Sequence, residues 1–89
     1  MSAKDEIKGL FEYELMQSPE YTLAQQLVLF LKDEIATPHV NEYVSMTFNN
    51  RLNESQQGVF KMCCILLLGF EPITVTDAFC VVHMKNFLA

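Results

Sequence analysis

A chain of 89 residues has room for one domain and one core, and at this size only about 60–65% of the unfolded surface is buried, so the stability margin is thin. With 51% apolar and 19% charged residues, the chain can bury a core, and intrinsic disorder is excluded. The net charge of −5 resides in residues 1–42, where eight acids face three lysines, while three acids balance three bases from Tyr43 to Ala89. An acidic surface repels phosphate and argues against general nucleic-acid binding.

Ser2 can cap a first helix, with Asp5 in the capping-box position, and Ile7, Leu10, Phe11 and Leu15 follow at helical spacing. This first helix is expected to end near Gln17. Ser18-Pro19-Glu20 restarts the helix with a cap, a proline at the first position and an acid. Leu23, Leu27, Phe30, Leu31, Glu34 and Ile35 then share one face, widened by Ala24 and Val28, whereas Leu29 falls on the polar side as an exposed apolar residue.

Thr37-Pro38 repeats the cap-then-proline pattern and predicts a third helix to about Leu52, with Val40, Tyr43, Val44, Phe48 and Leu52 inward. The β-branched and aromatic content of Tyr43 to Phe48 pulls against it. Asn53 caps a fourth helix, Glu54 to Leu68, which closes on Gly69. From Val59 onward that helix is apolar on nearly every side, which predicts burial all round, at the domain centre or in an oligomer.

After Glu71-Pro72, Thr74 with Asp77, or Thr76 alone, starts a last helix carrying Phe79, Val82, Met84 and Phe87. Ile73–Thr76 and Phe79–Val82 also suit strands, and Met62–Leu68 would suit a buried strand. The expected fold is all-α, a compact bundle of about five short helices in one domain over residues 1–89. An α+β arrangement with a C-terminal antiparallel strand pair is the alternative.

Cys63, Cys64 and Cys80 form an odd set in apolar surroundings and read as free, buried thiols in a reducing compartment. Lys4, Asp5, Glu6 and Lys8 precede any apolar run, unlike a secretory leader. The longest near-apolar stretch, Val59 to Phe70, contains Lys61 and falls short of the ~20 residues that span a bilayer. A cytoplasmic location is expected. There is no Cys-x-x-Cys, no His pair at i, i+4 and no His-Glu-x-x-His, so no metal or cofactor is expected.

Cys80 and His83, three apart, have a spacing that could share a metal, with Cys63 joining them in space, and they are also the one thiol–imidazole pair close in sequence. Apolar surroundings raise a thiol pKa, and no glycine-rich segment flanks the pair, so an enzyme is not expected. The carboxylate pairs Asp5/Glu6, Glu12/Glu14 and Asp33/Glu34 lie on polar helix faces, as solvated charges do.

Two groups of residues are candidates for binding. The run Asn49, Asn50, Arg51, Asn53, Glu54, Ser55, Gln56, Gln57 could read base edges or a peptide backbone, although a capped turn uses the same residues. A helix-turn-helix reader would need more bases beside it than Arg51 and Lys61. Tyr13, Tyr21 and Tyr43 are amphipathic interface anchors, and Leu29, Met16 and Met46 add apolar area.

The composition as a whole favours a small protein-interaction module acting as a homo-oligomer. Such a module would regulate or inhibit another protein, as small acidic helical proteins, including those of phages and viruses, often do. The interaction residues expected are Tyr13, Tyr21, Leu29, Tyr43, Met46, Asn50, Arg51 and Gln56. The alternative is a ligand- or nucleic-acid-binding regulator built on Asn49 to Gln57.

Overall fold

Two of the expected helix starts are made by the residues that announce them. The Ser18 hydroxyl accepts the Tyr21 amide at 3.3 Å and donates to the Leu15 carbonyl at 2.6 Å, so one side chain closes one helix and opens the next. Asn53 and Gln56 form a reciprocal capping box with bonds of 2.8 and 2.9 Å. Gly69, at φ 87°, ends that helix in the left-handed region, its amide bonded to the Ile65 carbonyl at 2.9 Å.

The computed structural model describes residues 12–88. Helix α1 is seen over 12–16, followed by α2 (Pro19–Ile35), β1 (Tyr43–Thr47), α3 (Glu54–Leu68), β2 (Thr74–Val75), β3 (Phe79–His83) and α4 (Met84–Leu88). The expected Ser2 cap and the inward positions Ile7, Leu10 and Phe11 lie outside the described residues.

The all-α bundle is therefore wrong, and the molecule is α+β, with a three-stranded antiparallel sheet in the order β1-β3-β2. Two threonines account for the difference. Thr37 Oγ1 lies 2.8 Å from the carbonyls of both Glu34 and His39, either of which accepts its single proton. It ties off the end of α2 instead of capping a third helix, and Pro38 leads into β1. Thr76 Oγ1 accepts the amides of Ala78 and Phe79 at 3.2 and 3.1 Å, as an N-cap would, but the turn it closes joins β2 to β3. The C-terminal strand pair, the alternative reading, does form; the strand at Tyr43–Thr47 was expected to be helix.

β1 pairs with β3 in the register Val44↔Val82 and Met46↔Cys80, and β2 pairs with β3 through Val75↔Cys80. Alternation turns Val44, Cys80 and Val82 into the core, where each is buried. Helices α2 and α3 pack together and close the same core with Ala24, Leu27, Leu31, Phe60, Cys63, Cys64 and Leu66. Phe60 is fully buried and meets Phe48 edge-on at 5.2 Å between centroids. Each such large side chain contributes roughly 1.5–3 kcal/mol on leaving water.

Some expected faces shift. On α2, Phe30 and Ile35 were expected inward but stay exposed, while Leu29 is 62% exposed, as the pattern predicts. Val40 and Tyr43, inward on the expected third helix, are also exposed. Helix α3 is wrapped on one face only: Val59, Ile65, Leu67 and Leu68 are half-buried and Met62 is exposed. Among the described residues no helix is long and apolar enough to cross a membrane.

Candidate functional site

Among the described residues, β1 lies at the end of the sheet with one edge unpaired. The Met84 amide donates to the Glu42 carbonyl at 2.9 Å, and the Phe48 amide to the Ala78 carbonyl at 2.8 Å. In an antiparallel ladder bonding alternates along the strand, so residues 42, 44, 46 and 48 direct their amide groups toward β3. Those of Tyr43, Ser45 and Thr47 point the other way, to the open edge, since β1 ends the strand order.

The side chains of the same three residues are exposed on the outer face of the sheet. Beside them stand Phe79, opposite Thr47, Val81, opposite Ser45, and His83, opposite Tyr43. Tyr43 and His83 stack with centroids 4.8 Å apart, and His83 Nε2 lies 3.3 Å from Glu42 Oε1. Aromatic and apolar side chains on a sheet face that the core helices among the described residues do not cover make a surface suited to association.

A groove of about 260 Å³ runs between the first turn of α2 and residues 48–52. Asn50, Arg51 and Gln56, expected together, do line it, with Glu20, Leu23 and Gln26 on the other wall. Two of the three have polar groups engaged elsewhere. Arg51 is ion-paired with Asp77, and the Gln56 carbonyl accepts the Asn53 amide in the capping box. Glu20 is buried and adds a carboxylate, which disfavours a phosphate ligand.

The remaining candidates do not converge. Tyr13 is 76% exposed on α1. Tyr21 is half-buried against the core. Leu29 lines a shallow depression with Gln25, Val28 and Leu67. Met46 faces the core side of the sheet opposite Cys80. Phe79, Val81 and His83 were missed, because a helix over 74–87 scatters residues that a strand aligns. The signal was the run Phe79-Cys80-Val81-Val82-His83, β-prone throughout.

Cys80 and His83 cannot act as a pair. Three residues apart on a strand, they take opposite faces, Cys80 into the core and His83 outward. All three cysteines are free and buried. Burial pushes the Cys80 thiol up to about 11, despite a bond from the Met46 backbone, and raises Cys64 further, with Cys80, Cys63 and Glu71 adding to the effect. Burial also raises Cys63, opposed by the Ser18 hydroxyl 3.8 Å away and reinforced by Glu20. Such thiols stay protonated near neutral pH and are poor nucleophiles. Among the described residues no three His, Cys, Asp or Glu side chains converge as a metal site would require.

No protein-family model, curated protein or solved structure matches this chain.

Proposed function

We propose that the protein is a small, non-enzymatic interaction module that works as a homo-oligomer and regulates or inhibits another protein. The observation that carries this reading is the outer face of the sheet, where exposed Tyr43 and Phe79 and half-buried Val81 and His83 lie side by side and, among the described residues, no helix of the core packs on them. Exposed apolar area of this kind is stabilised by covering it, at roughly 25 cal/mol per Å² removed from water. Protonated, buried thiols support a non-catalytic role, and three free cysteines support residence in the reducing cytoplasm. Light scattering over a concentration series tests the reading. The proposal expects a mass of at least twice the 10.2 kDa chain, and a mass of one chain at every concentration contradicts it.

A second reading makes the groove at Asn50, Arg51 and Gln56 a ligand or nucleic-acid site. The shared wall of these residues favours it, and Glu20 within the same groove opposes an anionic ligand. A labelled duplex whose mobility shifts at low salt, with the shift lost in Arg51→Ala, supports this reading; no shift at low salt removes the nucleic-acid form of it.

A further inference from the structure

We infer that the partner at the open edge is a second copy of this chain, paired antiparallel through β1 about a two-fold axis at Ser45. This rests on the reading of the protein as a self-associating module and gives that association a geometry. Exposed strand edges are normally blunted by lysine, proline, a bulge or very short length. β2 is blunted by its two residues, but β1 is five residues long, Tyr-Val-Ser-Met-Thr, with no charge and no proline.

The strand complements itself. Pairing about Ser45 places Ser45 opposite its copy, Tyr43 opposite Thr47 on the outer face, and Val44 opposite Met46 on the core side. The residues whose amide groups face the edge are the three that meet, so the pairing forms about six backbone hydrogen bonds across the axis. Half-buried Met46 gains cover from Val44 of the other copy. Glu42, 69% exposed, falls opposite the uncharged Phe48, and Arg51 beyond it is already paired with Asp77. Within the strand itself, from Tyr43 to Thr47, no charged residue meets its copy. The product is a continuous six-stranded sheet with both outer faces on one side.

Three variants at one position test this. Ser45→Pro removes an amide that faces the edge and takes no part in the β1–β3 ladder, so it should halve the mass seen by light scattering while circular dichroism is unchanged. Ser45→Lys, which sets two ammonium groups opposite each other at the axis, should do the same and carries the test should the proline variant fail to fold. Ser45→Cys should form a covalent dimer under mild oxidation, since paired Cα atoms about 5.5 Å apart can be bridged, while Leu29→Cys should not. If the native chain oligomerises but Ser45→Lys keeps its mass and Ser45→Cys does not cross-link, the edge geometry is overturned and the self-association reading stands. A native chain that remains a monomer throughout overturns both.

Discussion

Tyr43 and His83 face each other across β1 and β3, their rings 4.8 Å apart and 20° from parallel. The pair fastens the edge strand to the centre of the sheet on the side that, among the described residues, no core helix residue reaches. A cross-strand aromatic pair contributes up to about 1 kcal/mol relative to alanine. Tyr43→Ala should therefore lower the urea midpoint by an amount equivalent to roughly 0.5–1 kcal/mol, leaving the far-UV spectrum intact. An unchanged midpoint would mean that the stack holds nothing.

Phe60 has the opposite character: it is fully buried and touches Phe48 edge-on, where β1 leads out of the sheet. Phe60→Ala removes a large side chain at the meeting point of α3 and the residues after β1, at a cost of about 3–5 kcal/mol. In a domain with only about 5–15 kcal/mol in hand, this is a large share. Thermal unfolding should show a steep fall in Tm or no cooperative transition.

The two described glycines should respond to alanine with opposite sign. Gly58 lies within α3 with open space where a Cβ would go, so Gly58→Ala should stabilise by about 0.5–1 kcal/mol. Gly69 also has space, but its φ of 87° strains any L side chain, and Gly69→Ala should destabilise by roughly 1–2 kcal/mol. Asn53→Ala, which removes the capping box at the other end of α3, should cost about 1 kcal/mol. Urea midpoints of the three variants decide the signs.

Alkaline pH should weaken the fold. The folded thiols of Cys64 and Cys80 are raised above the unfolded value near about 8.5. Below that value the thiols are protonated in both states and their contribution is fully present. As pH rises from there toward about 11 for Cys80, the unfolded thiols ionise first and stability is lost, by up to about 1.4 kcal/mol per pH unit for each. Urea midpoints at pH 8 and pH 10 should show the fall, and Cys80→Ala should show a shallower one from a lower start. A flat profile in the native chain would contradict the burial of these thiols.

The sequence disclosed most where a local hydrogen bond does the work. Ser18-Pro19, Asn53 and Gly69 mark helix ends that form at those residues, because cap chemistry acts within a few residues, whereas the part Gln56 takes in the capping box was not read. It misled where one side chain serves two purposes. Thr37 and Thr76 offer the hydroxyl of a cap, but one closes a helix end and the other closes a strand turn. Which role is taken depends on pairing between residues 43–47 and 79–83, some 36 positions apart on average, and local pattern does not carry that contact. The interaction surface followed the same rule: Tyr43 was legible as an exposed aromatic, whereas Phe79, Val81 and His83 join it only once the strands align.

Amide hydrogen exchange at Ser45 tests the edge-to-edge association most directly, because among the described residues this N–H points away from β3 to the open edge. The account predicts that Ser45 exchanges slowly in concentrated protein and becomes fast on dilution, while Val44 and Met46, bonded to β3, stay protected throughout. Fast exchange at Ser45 at every concentration would contradict it.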